Sequence, residues 1–451
     1  MGIANFNLKN IVQKMSQDID KVPITQGVLF TIPALAILLS SYALFSMLKG
    51  LTIQQLNMFS ITVTSAVVLA LVGTSAMQFL TYKIIADSKD SKEEAASRVI
   101  RLGIIHCVSF STVAGALLYP YFQNVLGFPL IYFCYFAVLL FSYSMVWILT
   151  AVFWAMGQYK YPALFFTVSY LAVFAISYGF YLINPANIIS GYTVGIAILA
   201  LLLAIASRAA FREKISQRLS DDLSTIPKLV FRNYSTILFH AFYMLAIFLD
   251  KIIVWVSEGS MSGNGLMLVC PYTTGAFLGM VPMLSIAALA YFTIKVKPVI
   301  KDMYKGALLD IQRETRKYKY LYTRGLQAML VIGAALFILV ATFSIYFMND
   351  LQLSKILVTT SLGALFFMVI VYNSAVLPIF GKANVSAVSM LVVCIGEALA
   401  IPFVATDVWY ASIGFAAGSF IGFLISSFST RQLFSKFEYN MFRPIAVATI
   451  E

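Results

Sequence analysis

The chain has 451 residues, of which 61% are hydrophobic and 11% charged, against about a quarter charged in soluble domains. Its net charge of +12 is gathered into short clusters between apolar runs of about 20 residues, enough for a helix to cross roughly 30 Å of hydrocarbon. This pattern excludes a soluble multidomain chain, and the absence of alternating segments of about 10 residues excludes an outer-membrane barrel.

Residues 1–26 mix polar and apolar types without the three-part layout of a cleavable signal, so a cytoplasmic helix or arm is expected there. Spans follow at 27–48, 56–82, 102–121, 129–156, 162–183 and 188–208. A linker at 209–229 separates these from 230–256, 268–293, 323–347, 356–379, 384–405 and 408–427. The last pair is joined only at 406–407, where Asp407 is the sole charge, so a re-entrant element is an alternative there. Residues 428–451 form a tail. The predicted fold is an all-α polytopic membrane protein of twelve helices. It has an N-lobe over 27–208 and a C-lobe over 230–427, with an amphipathic cytoplasmic segment at 298–322.

With the amino end inside, 28 of the 31 basic residues fall on the cytoplasmic side. The positive-inside rule therefore fixes the orientation and requires an even number of spans. Anionic lipid headgroups account for the net charge, and no nucleic-acid partner is implied. The inner loop after the eighth span carries Lys305, Arg313, Arg316, Lys317 and Lys319. Asp302 and Lys305, Asp310 and Arg313, and Glu314 and Lys317 are each three apart, the spacing of an exposed helix face. Two compatible readings follow: a helix lying on the headgroups, or a docking surface for a cytoplasmic partner.

Charged groups inside spans are rare and usually face protein or water. Asp250 and Lys251 lie in the seventh span, where adjacent residues point about 100° apart and need not pair. His240, Tyr243 and Asp250 form a polar stripe there. Glu397 lies midway along the eleventh span and either pairs with a base such as Lys251 or lines a cavity. These five residues are candidates for substrate contact or coupling, the alternative being an interhelix lock. Tyr132, Phe136, Tyr143 and Trp147 share one face of the fourth span, as a stacking surface for saccharides or as ordinary core. Pro271 and Pro282 bracket Gly275 and Gly279 in the eighth span, a bent element that forms part of a gate or merely packs closely. Trp409 and Trp255 suit an outer aromatic belt, and the four cysteines suit small apolar core positions. His106 reads as structural. The two histidines are far apart, so no metal site is expected, and no phosphate loop, dinucleotide fingerprint or hydrolase motif indicates an enzyme or a cofactor.

The segment Phe242-Tyr243-Met244-Leu245-Ala246-Ile247-Phe248-Leu249-Asp250-Lys251-Ile252-Ile253-Val254-Trp255 resembles the N-x-G-x-W-x-D-K-x-x-F-W segment of the Pel exopolysaccharide transporter family, PelG. Phe277-Leu278-Gly279-Met280-Val281-Pro282-Met283-Leu284-Ser285-Ile286 is similar to its F-L-A-Y-L-S-I-I-P region. Ile85-Ala86-Asp87, Phe6-Asn7-Leu8-Lys9 and Phe437-Glu438-Tyr439 also resemble family positions, in the right order over nearly the whole chain. Asn7 stands where the family has an acidic residue, and Leu377-Pro378-Ile379-Phe380-Gly381-Lys382 lacks the acidic residue of an F-Y-x-D-R-R type segment. The resemblance implies a multidrug/oligosaccharidyl-lipid/polysaccharide (MOP) exporter in the inner membrane. It would pass an amino-sugar-rich polysaccharide made by a cytoplasmic, PelF-like glycosyltransferase, with small inner-membrane Pel-system proteins as further partners. An ion-coupled small-molecule antiporter and a lipid-linked oligosaccharide flippase of the same superfamily are the alternatives.

Overall fold

The computed structural model describes residues 51–437 except 88–91, 159, 212–226, 229, 263–270, 304–307 and 349. The amino arm, the first expected span, Lys305, Cys270, most of the linker and most of the tail lie outside the described residues.

Every long apolar run in the described residues is helical, because in lipid only a helix satisfies its own backbone. In the first half these are α1 (Ile53–Asp87), α2 (Lys92–Pro120), α3 (Leu130–Ala155), α4 (Lys160–Ile183) and α5 (Ile188–Ala210). The second half holds α6 (Tyr234–Ser262), α7 (Pro271–Gly279), α8 (Ala287–Met303), α9 (Leu308–Phe347), α10 (Leu351–Ser374), α11 (Ala383–Leu399), α12 (Ile401–Val404) and α13 (Trp409–Ser435). Short 3-10 turns at Pro185–Asn187, Val281–Ile286 and Leu377–Phe380 and a π-turn at Tyr121–Val125 link several of them. Asp350 caps α10 by accepting from the backbone N–H of Gln352 and Leu353 at 2.9 and 3.1 Å. At Gly381 the backbone turns left-handed, φ +71°, between the Leu377–Phe380 turn and α11.

Ten of these helical stretches are long and apolar enough to cross a membrane. The eighth expected span is divided into α7, a 3-10 turn and α8, because Pro282 has no N–H to continue the ladder. The eleventh and twelfth spans run full length, so no re-entrant element forms between them.

The halves repeat a pattern of neighbours. In the first, α3 packs on α1, α2 and α5, and α5 on α4. In the second, α10 packs on α7, α9 and α13, and α13 on α11. One core joins α1 to α5, a second joins α6 to α13, and α1 running along α6 connects the halves. The central helix α3 is enclosed over 78% of its most apolar stretch, whereas α9 is enclosed over 22% and so stands at the rim.

The inner end of the second half departs most from the sequence reading. Residues 308–322 do not lie flat as a separate surface helix; they are the first turns of α9, continuous with the span. Tyr318 and Tyr322 hold this extension upright by packing on Phe434, and Tyr318 also on Phe292, Phe380 and Phe437. An amphipathic segment lies on lipid only when its apolar face finds no protein to bury against.

A charged cluster between α6, α7 and α11

Asp250 and Lys251 are fully buried on α6. Although their 100° offset left this open, they pair: Lys251 Nζ lies 2.8 Å from Asp250 Oδ1. The flexible lysine stem allows it, since the ammonium folds back to donate to Ile247 O at 2.9 Å as well. The same ammonium lies 5.3 Å from the centre of the Phe277 ring on α7. Asp250 Oδ2 accepts from Tyr272 Oη at 2.7 Å. Tyr272 lies in the first described turn of α7. Sequence reasoning missed Tyr272.

Glu397 reaches the cluster from α11, which packs along α6. It is fully buried, within electrostatic reach of Asp250 and Lys251, and neither carboxyl oxygen has a hydrogen-bond partner among the described residues. Two acids therefore face one base. A buried carboxylate without a partner is costly by several kcal/mol. Among the described residues nothing hydrogen-bonds to Glu397 to offset this cost, while Lys251 and Asp250 are paired.

The expected polar stripe is not gathered into this cluster. His240 stacks on Phe79 of α1 with ring centres 5.2 Å apart, and Tyr243 stacks on Phe367 of α10 at 5.5 Å. Both pair with apolar rings about two to three turns toward the inner end from Asp250.

Of the gate candidates Pro271, Gly275, Gly279 and Pro282, the two glycines of the broken helix face α10. A side chain at Gly279 would meet Thr360 Cβ at 2.7 Å and Leu357 O at 2.9 Å, and one at Gly275 would meet Leu353 and Ile356 at 2.9 and 3.0 Å. Ser361 Oγ donates to Gly279 O at 2.9 Å, engaging a carbonyl that the helix break leaves free. The two glycines thus form a tight seam in this conformation.

Tyr132, Phe136 and Tyr143 are buried and Trp147 is half-buried, all within the first half. Phe136 packs on Phe122, Tyr143 shares a hydrogen bond with Tyr192 Oη, and Trp147 meets Phe166. Trp255 is buried and donates to Thr273 at 2.7 Å, so it is no part of an outer belt; Trp409 instead lies under the Lys355 ammonium and donates to Thr359. Cys134 is exposed on the helix surface, while Cys107 and Cys394 are core residues as expected. His106 contacts Gly73 O at 3.0 Å, joining α2 to α1. A second polar node, also missed, ties three helices: Tyr322 Oη donates to Asn373, whose amide donates to Ser426 and Ser427.

Among the docking candidates, Arg313, Arg316 and Lys317 are exposed, and Lys319 is turned onto the Phe437 ring at 5.6 Å.

No curated protein sequence matches the chain significantly. Solved structures do. A MATE transporter in a straight conformation superposes with a TM-score of 0.64 at 14% identity, over 93% of this chain and 97% of that one. A MOP-superfamily transporter from Pyrococcus furiosus gives 0.64 at 14% identity, over 93% and 96%. An outward-facing MATE-family multidrug resistance transporter gives 0.62 at 14%, over 93% and 96%. At such identity these establish the fold alone, an all-helical multi-pass arrangement shared with MATE and MOP-superfamily structures. The sequence itself matches the PelG family (exopolysaccharide exporter, EPS-E) over residues 28–442, nearly its whole length. With the fold, the span pattern and the family match in agreement, the chain belongs to the PelG family.

Proposed function

We propose that this transporter exports an amino-sugar-rich exopolysaccharide of the Pel type across the cytoplasmic membrane, fed by a cytoplasmic glycosyltransferase. The observation that carries the reading is the buried cluster of Asp250, Lys251, Tyr272 and Glu397, with more acid than base. Acidic groups within low-dielectric walls attract cationic cargo, and an amino-sugar chain supplies cations at regular intervals. Among the described residues Glu397 has no hydrogen-bond partner to give up, so it is the one that meets a passing ammonium.

Secreted polysaccharide from cells carrying Glu397→Gln, compared with wild type at equal membrane abundance, tests the reading. The expected outcome is at least a tenfold loss of secreted amino sugar, with synthase activity in membranes retained. Undiminished secretion would sink it. The unpartnered Glu397 equally favours an ion-coupled antiporter, which would show solute flux driven by a proton or sodium gradient in vesicles holding this chain alone.

A further inference from the structure

The helix α9 is longer than a membrane requires. Its 40 residues measure about 60 Å, twice the hydrocarbon thickness. Between Arg324 and Asp350 the sequence carries no charge, so the hydrocarbon lies inside that interval. Taking about 1.5 Å per residue with Arg324 at the inner edge of the hydrocarbon, Lys317 and Arg316 lie about 11 to 12 Å beyond it and Arg313 about 17 Å beyond it. The headgroup layer is only about 5 to 7 Å thick on each side. A tilt of about 20° shortens these heights by less than a tenth. Arg324 and Tyr320 therefore belong to the headgroup level, with the Arg324 guanidinium 5.4 Å from the Tyr320 ring centre. Arg313, Arg316 and Lys317 stand above it.

These residues share one helix face. Positions 313, 316, 317, 320 and 324 follow the three-and-four spacing and are all exposed. The opposite face, with Tyr318, Tyr322, Gly325 and Met329, is buried. In that buried face, Tyr318 packs on Phe380, Phe434 and Phe437. Glu314 lies near Lys317 at 3.4 Å, leaving two arginines and a half-committed lysine as a net positive face. Below it the same face turns to lipid through Val331 and Leu339.

We propose that Arg313, Arg316 and Lys317, with Tyr320 beneath them, dock an acidic surface of a cytoplasmic partner protein seated on the membrane beside the transporter. Lipid headgroups meet this face only at Arg324 and Tyr320; the three cations above them are presented to a macromolecule. Planar guanidinium groups at 313 and 316 suit bidentate pairing with carboxylates. The inference goes beyond the export assignment and does not depend on the cargo.

Two measurements test it on the full chain. Nitroxide labels at Arg313→Cys and Arg324→Cys are read in nanodiscs containing phosphatidylglycerol. The label at 313 is expected to be open to a water-soluble nickel chelate and closed to oxygen in the bilayer, with 324 giving the intermediate values of the headgroup level; headgroup-like values at 313 overturn the geometry. In exporting cells a photo-cross-linking amino acid replaces Tyr320. The expected product is one protein joined through a segment rich in Asp and Glu, with a yield at least fivefold lower in R313E/R316E and R313Q/R316Q and kept in R313K/R316K. Adducts to lipid only, or protein adducts indifferent to these charges, overturn the proposal. Loss of the cross-link with secretion unchanged would leave the docking site standing and separate it from export.

Discussion

Lys251 is the hinge of the charge balance. It satisfies Asp250 directly and offsets Glu397 at longer range, so the two acids are not equivalent. Lys251→Met leaves two buried acids and no base, and is expected to cost about 3–5 kcal/mol, as when one partner of a buried pair is removed. In Asp250→Asn the ammonium keeps its contact with Ile247 O and a carboxylate within electrostatic reach at Glu397, so the loss should be smaller. The double variant D250N/K251M should recover much of the K251M loss, because neither a bare acid nor a bare base is left at those positions. Thermal unfolding of the detergent-purified protein gives the cycle. Additive losses would show that the pair does not hold the cluster together.

Among the elements, the broken helix α7 is where sequence and packing meet. Its punctuation by Pro271, Gly275, Gly279 and Pro282 was legible, because proline and glycine act through the backbone alone. That Gly279 touches Thr360 and Leu357 was not, since close approach depends on α10, some eighty residues away. Gly279→Val is expected to force α7 off α10 and shift Tyr272 from Asp250, lowering export severalfold with insertion intact; Gly275→Ala should do less. Secretion and membrane abundance of both variants check this, and normal export with G279V would show that the seam tolerates separation. The extension of α9 teaches the same limit. Its period-3.6 pattern was readable from 299 to 321, but whether it lies flat or stands upright is decided by Phe434 and Phe437 at the far end of the chain. The pairing of Asp250 with Lys251 was hidden for a smaller-scale reason: helix geometry fixes where Cβ points, not where a four-carbon stem ends.

For the whole molecule, α1 and α6 are the contact across which the halves must move if transport proceeds by rocking. At the inner end of that contact His240 of α6 stacks on Phe79 of α1. The long apolar helices were legible from composition, because bilayer thickness dictates the length of an apolar run. The state of closure is a property of packing and left no trace in the sequence. A reducible bis-methanethiosulfonate link between Phe79→Cys and His240→Cys, in a background with the four native cysteines replaced, tests whether the halves separate there. If they rock as bodies, the link stops secretion and reduction restores it. If the polymer instead threads continuously through one fixed arrangement, the linked protein exports at the rate of the unlinked double variant. Reduction controls for damage by the linker, and the unlinked variant controls for loss of the Phe79–His240 stack, so the comparison reads only the freedom of the two halves to part.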